Sequence, residues 1–352
     1  MADSNRRPGP VESGLNVALF PVSAVAAAAL AMALSAIVVA LLVQGAARLP
    51  HDRPSARSLH DLPVPRAGGL AIWAGFLPVA LLVPGPVPGG PGWLIAWLAV
   101  AGVSLVDDWR GVHPAIRLLV QALAAVAVAG AIQGSDAAAM STGALLSAIA
   151  GVTIAIIWSA NLFNFMDGSD GLAAAMAISG FGAYGVAAVQ AGAPAQVYFA
   201  LAAATLPFLA VNLPPARTFM GDVGAVPLGF LAAVFGVAGC RGGVWPAWFP
   251  LLVFLPFIAD ATLTLAQRRL RGERVWQAHK AHYYQRLNQL GAGHRGTLLA
   301  YGALMAGAAA TAVAALAARP AYGWGALLGW IVVVAAFFAR IDYHWTRRKP
   351  AP

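Results

Sequence analysis

The chain has 352 residues, 60% of them hydrophobic and only 10% charged, with a mean hydropathy of +0.74. A water-soluble domain carries about 25% charged residues, so that class is excluded and most of this chain must face lipid. The formal charge of +9 does not mark a nucleic-acid-binding domain, because the basic residues sit in short connectors between apolar runs, where Lys and Arg set topology.

In chain order, a polar tail over 1–15 precedes an apolar run over 16–44. That run is too long for a signal-peptide core and is read as a retained first span. At about 20 apolar residues per crossing, ten more candidate spans follow, at 67–84, 92–106, 116–133, 144–162, 171–191, 196–213, 223–239, 247–266, 297–317 and 323–340. The expected fold is therefore all-α, a polytopic bundle of about 10–11 transmembrane helices. One catalytic membrane domain would cover 16–340, with cytoplasmic loops at 45–66, 107–115, 163–170, 214–222 and 267–296 and a basic tail over 341–352. Cys240 is the single cysteine, so no internal disulfide forms.

Charge fixes the expected orientation. If the 45–66 connector is cytoplasmic, all but four of the 22 Lys and Arg (Arg6, Arg7, Arg241 and Arg319) fall on that side. The positive-inside rule then places the N-terminus outside and the C-terminus in the cytoplasm. Of the 13 acids, all but Asp3, Glu12 and Asp136 fall on the cytoplasmic side as well. Any chemistry is expected at that face.

Five segments there carry it. Asp107 and Asp108 end the third span in SLVDDWRG; adjacent carboxylates beside lipid call for a divalent cation or for a raised pKa on one member that makes it a proton acceptor. NLFNFMDGSDGL places Asn161, Asn164, Asp167 and Asp170 at intervals of three, while Gly168 and Gly171 suggest a broken helix whose amides approach a ligand. In VNLPPARTFMGDVGAVPLG, Asp222 lies between Gly221 and Gly224 where a metal–phosphate centre could come close; Phe219 reads on its own as an interfacial aromatic. RRLRGERVWQAHKAHYYQRL is rich in Arg and holds His279 and His282 at a spacing that shares a helical face; without a cysteine or a nearby acid, diphosphate binding fits better than zinc. The turn RSLHDLPVPRAGGLAIW adds Arg57, His60 and Arg66 as anion donors. Carboxylates for a metal plus arginines and histidines for anions describe phosphate chemistry.

The order DD, N-x-x-N-x-x-D-G-x-D-G-L, F-M-G-D-x-G and a basic histidine loop resembles the polyprenyl-phosphate N-acetylhexosamine-1-phosphate transferases of glycosyltransferase family 4, over about residues 48–290. The resemblance implies transfer of a sugar-1-phosphate from a UDP-N-acetylhexosamine to undecaprenyl phosphate, releasing UMP, with Mg²⁺ (Mn²⁺ as an alternative). It implies a multi-pass protein of the bacterial inner membrane, its site cytoplasmic, as a homodimer. Carried over by position, Asp107 is the base for the lipid phosphate with Asp108 beside it. Asp222 with Asn164 holds the metal, and Asn164, Asp167 and Asp170 line the nucleotide and metal site. Phe219 stacks on uracil, reversing the reading from composition. Asn212 makes a nearby polar contact, His279 and His282 hold the diphosphate or sugar, and Arg66 and Arg286 are counted with the substrate-binding cations.

The sequence departs from the family at Ala225, where many members have Ser, and in H-K-A-H, where the peptidoglycan enzyme has three consecutive histidines. With the first loop, RSLHDLPVPRAGG, this points to the subgroup that initiates O-antigen or related polysaccharides rather than to the phospho-MurNAc-pentapeptide transferase, the alternative. An ion-coupled secondary transporter, which would place acids at mid-membrane in an internal repeat, is the rival of another class; no repeat is evident. Asp260, in FLPFIADATLTL, is expected to pair with an arginine of the adjacent loop.

Overall fold

A chain in lipid satisfies its backbone groups within each segment, so uninterrupted apolar runs become helices. The computed structural model describes residues 22–46, 49–52, 63–88, 90–134, 137–275, 277 and 279–348. The tail over 1–15, the start of the first span, Arg57 and His60, and the end of the basic tail lie outside these residues. In chain order the helices are α1 (Val22–Gln44), α2 (Gly68–Leu82), α3 (Gly92–Arg110), α4 (Pro114–Gln133) and α5 (Thr142–Met166). There follow α6 (Leu172–Gln190), α7 (Gln196–Asn212), α8 (Asp222–Arg241), α9 (Trp248–Val253) and α10 (Leu255–Leu270). Last come α11 (Tyr283–Leu287), a π turn (Asn288–Ala292), α12 (Gly293–Ala318) and α13 (Gly323–Thr346).

Among the described residues, eight helices are long and apolar enough to cross a membrane, while α2 and α7 are apolar but shorter. The ninth expected span is not one helix. It breaks at Phe254 between α9 and α10, and Pro256 opens the second piece. Proline has no N–H to donate to the carbonyl four residues back, so an apolar run containing it can bend where hydropathy sees no interruption.

α8 is the axis of the bundle. It packs against α3, α5 and α2, while α1 closes over α2 and α7. The crossing of α2 on α8 depends on small residues: a Cβ added at Gly69 would stand 2.4 Å from Gly224 Cα. Aromatic rings fill the middle, with Tyr184 against Trp245 at 4.8 Å and Trp73 against Trp97 at 4.8 Å.

Candidate active site

The polar segments meet at one end of the bundle around a cleft of about 630 Å³. Its walls come from the connector before α2, the α3–α4 turn, the ends of α5 and α7, the start of α8 and the loop between α10 and α12. All five motifs contribute, which requires alternate connectors of an up-and-down bundle to share an end.

The join of α3 to α8 sets the geometry. A helix start leaves backbone N–H groups without partners, and the buried carboxylate of Asp108 accepts from two of them, Asp222 N–H at 3.1 Å and Val223 N–H at 2.8 Å. Gly221, before them, has φ +74° and would put a Cβ 2.6 Å from Asp108 Oδ2, so the cap needs glycine there. Arg66 donates to Asp108 at 2.6 Å and approaches Asp222 at 3.5 Å and Asp52 at 3.6 Å. It is brought there by backbone pairing: Phe219 N–H donates to Pro65 O at 2.8 Å and Gly68 N–H to Phe219 O at 2.9 Å. That pairing also places Phe219 on the cleft wall.

Adjacent residues on a helix point about 100° apart, and the two acids of the DD motif divide accordingly. Asp108 turns inward and is saturated as a cap. Asp107 lines the cleft, accepting Val112 N–H at 2.6 Å and the guanidinium of Arg117. The same Arg117 nitrogen donates to Asp222 Oδ2 at 2.6 Å, so one cation bridges the two acids. Asn164 also hydrogen-bonds Asp222, whereas Asn161, three residues earlier, faces α4 and donates to Gln121 at 2.9 Å.

The broken segment after α5 forms where Gly168 and Gly171 stand, Gly171 with φ +74°. Asp167 caps α5 and faces the cleft. Burial, then the charges of Asp222 and Asp108, hold its carboxyl well above the usual range, against the pull of Arg66. Asp170 is tied down on both sides: Oδ2 accepts Ala216 N–H at 3.0 Å, and Oδ1 lies 3.3 Å from His294 Nδ1. Asn212 is buried, accepting Gly171 N–H and donating to Thr218 O, each at 2.8 Å. It edges the cleft while fastening the two loops together.

The histidine segment is a loop rather than the helix that the spacing suggests, yet His279 and His282 stack at 4.8 Å. Asp260 organises it. Its buried carboxylate accepts Tyr283 N–H and Tyr284 N–H, each at 2.9 Å, and Tyr301 OH at 2.5 Å, and it stands 3.2 Å from His282 Nδ1. The expected arginine partner is therefore replaced by a histidine, two amides and a tyrosine, because the loop folds back over α10. With Nδ1 on Asp260, Nε2 of His282 is the nitrogen left for the cleft. Burial, then His282 and Arg268, push His279 down to about 4, against Glu273 and Asp260.

Arg286 does not reach the cleft. It is buried against α13, 2.6 Å from Asp342 and over the ring of Tyr283; His282 is the extended N-cap of α11, whereas Arg286 lies inside that helix on the side toward α13. Conversely, Arg117, Asp52 and His294 line the cleft unforeseen. The signal for Arg117 was the uncompensated acid pair itself, which needs a cation from beyond the His113-Pro114 turn.

Burial opposes the charge of Arg66, but Asp108, Asp222, Asp52 and Asp107 outweigh it and raise its pKa. The cleft is thus a lattice of acids and guanidinium groups, ready to exchange partners when anions arrive. Its oxygen donors suit Mg²⁺, which binds one or two carboxylates and completes its shell with water and phosphate. No group of three or more His, Cys, Asp or Glu able to hold an ion occurs among the described residues.

The chain is similar to known proteins. The chain is 29% identical over 293 residues to the decaprenyl-phosphate N-acetylglucosaminephosphotransferase of Mycobacterium tuberculosis, covering 70% of each chain. It is 29% identical over 263 residues to the undecaprenyl-phosphate alpha-N-acetylglucosaminyl 1-phosphate transferase of Yersinia pestis, covering 68% of this chain and 70% of that one. Similarity to the phospho-N-acetylmuramoyl-pentapeptide-transferase of Thermotoga neapolitana, 33% over 135 residues, covers 37% of this chain and 43% of that one. The family model described as glycosyl transferase family 4 matches residues 91–240. That stretch runs from the start of α3 almost to the end of α8 and contains Asp107, Asp167 and Asp222, so the acids of the cleft fall inside the segment that matches glycosyl transferase family 4.

Proposed function

We propose that the cleft transfers an N-acetylhexosamine-1-phosphate from a UDP-sugar to undecaprenyl phosphate, yielding the lipid diphosphate sugar and UMP. The observation that carries this reading is the bridge from Asp107 through Arg117 to Asp222 at the polar end of an apolar bundle, where an aqueous nucleotide and a membrane lipid can both reach it. Relatives that align over two thirds of the chain are named for N-acetylglucosamine transfer to polyprenyl phosphates, which favours that donor class over a muramyl pentapeptide. A role in starting O-antigen or a related envelope polysaccharide, in the bacterial inner membrane with the cleft cytoplasmic and the protein as a homodimer, belongs to the same proposal; charge asymmetry supports the orientation.

Both substrates are anions, so their approach first requires neutralisation. Arg66 and Arg117 can leave their carboxylate partners for phosphate oxygens, which bind guanidinium groups in the same way. Asp107, freed from Arg117, takes the proton of the lipid phosphate on its carboxylate. A lipid phosphate oxygen then bonds to the sugar-bearing phosphorus of the donor, and the bond from that phosphorus to the UMP oxygen breaks. Phe219 offers a ring face for uracil, and Nε2 of His282 a donor or acceptor for the sugar phosphate. Asp222 and Asn164 would hold Mg²⁺, which supplies divalent charge to the diphosphate.

The test is UMP release by the purified protein with undecaprenyl phosphate, Mg²⁺ and a panel of UDP-N-acetylhexosamines. Release with UDP-N-acetylglucosamine or an epimer is expected; no UMP across the panel from a folded sample would overturn the reading.

A further inference from the structure

A second pocket, of about 370 Å³, lies outside the cleft between α13 and the turn after α11. Its floor is apolar: Leu287 and Leu290 from the turn face Phe337 and Ile341 of α13. Its rim is cationic. Arg340 and His344 lie one turn apart on α13, and Arg348 follows two residues past its end. All three are exposed, and no acid lines the pocket. The nearest acid on α13, Asp342, is turned away to Arg286 and Tyr283.

Two features identify the occupant. Beyond the pocket the same face of α13 continues as exposed Val333 and half-buried Trp330, four and seven residues before Phe337, while exposed Val332, Ile331 and Leu328 lie further round the helix as surface of the kind that faces acyl chains. The rim stands where that helix leaves its apolar stretch, beside Tyr343 and Trp345, the residue types that settle at headgroup level. An occupant must therefore place an anion under arginines and an acyl chain along Val333 and Trp330. We propose that the pocket binds an anionic phospholipid, separately from the substrates in the cleft.

The pocket is built to matter for the cleft. Leu287 and Leu290 belong to the strip that joins His282 to His294, two residues of the cleft wall. Within it Gly291 (φ +102°) and Gly293 (φ +62°) would meet nothing within 4 Å if given a Cβ. Over 287–294 no residue of this strip is buried, and a lipid seated on it would hold His294 in place.

The full chain in detergent is titrated with phosphatidylglycerol, phosphatidylcholine, inorganic phosphate or undecaprenyl phosphate, with bound lipid read by native mass spectrometry and the strip 287–294 by hydrogen exchange. Near a membrane surface each basic residue contributes about 1 kcal/mol toward anionic lipid, so two arginines predict a preference for phosphatidylglycerol over phosphatidylcholine of roughly tenfold or more. Phosphatidylglycerol should slow exchange in the strip. Arg340→Gln with Arg348→Gln, both at exposed positions, should bring the two lipids to parity and abolish the slowing. Equal retention of both lipids by the unaltered protein, an unchanged preference in the double variant, or equal slowing by inorganic phosphate would overturn the proposal. So would displacement of phosphatidylglycerol by undecaprenyl phosphate at lower concentration, since the pocket would then belong to the substrate.

Discussion

Asp222 is held by Arg117, Arg66 and Asn164 at once, so its charge is already balanced before any ligand binds. Removing one preorganised electrostatic group from a phosphoryl-transfer site costs about 10²–10³ in rate; Asp222→Asn is expected to lose at least that in UMP release, without recovery at high Mg²⁺. Asp167 is the opposite case, a carboxyl buried among other carboxylates. Its neutral isostere relieves that repulsion, so Asp167→Asn should raise the melting temperature of the substrate-free protein by ~2 °C or more, on a scale of about 2–4 °C per kcal/mol, while lowering turnover; a fall in melting temperature would refute the account. His279 gives a pH signature. Folded, it resists protonation until about pH 4, whereas the unfolded chain takes up that proton near 6.5. Stability therefore falls as pH drops from 6.5 toward 4, and His279→Gln should flatten that limb of a thermal-denaturation series, by an amount reduced by the partial exposure of the ring.

At the scale of elements, the site depends on where helices end. Gly221 supplies both a left-handed φ and the space beside Asp108. Ala there imposes about 1–2 kcal/mol of backbone strain and pushes on the capping carboxylate, so Gly221→Ala should lower the melting temperature by several degrees and depress turnover with it. Asp260→Asn tests the histidine loop: turnover should fall about 10–100-fold, the usual scale for a group that orients a histidine, with a smaller change in KM. The helices themselves were legible as apolar runs, because in lipid a run of that length has few other fates. The break at Phe254 was hidden, since hydropathy does not register the missing N–H of Pro256. Which face each polar residue takes was hidden as well. Asp107 and Asp108 look equivalent in sequence and differ by a rotation along α3, while His282 and Arg286 diverge because the first is the extended N-cap of α11 and the second lies inside that helix. Arg117 and His294 reach the cleft through contacts spanning 105 and 124 residues, distances over which a motif carries no information.

For the whole molecule, convergence of the alternate connectors agrees with the side that the basic residues favour, and the orientation can be read directly. In a Cys240→Ala background, Arg319→Cys should react with an impermeant maleimide in intact cells, and Arg271→Cys only after permeabilisation; the reverse pattern would invert the topology. The cap of α8 has a consequence in time. Asp108 is made 114 residues before the amide of Asp222 that it accepts, and synthesis at about 5–20 residues per second makes that roughly 6–20 s. During the interval the acid waits at the membrane surface, with Arg66 already synthesised as its counter-charge and its final amide partners still to come. The cleft can close only after α8 enters the bundle, so chains cut short before that helix would carry Asp108 without the amides that fasten it.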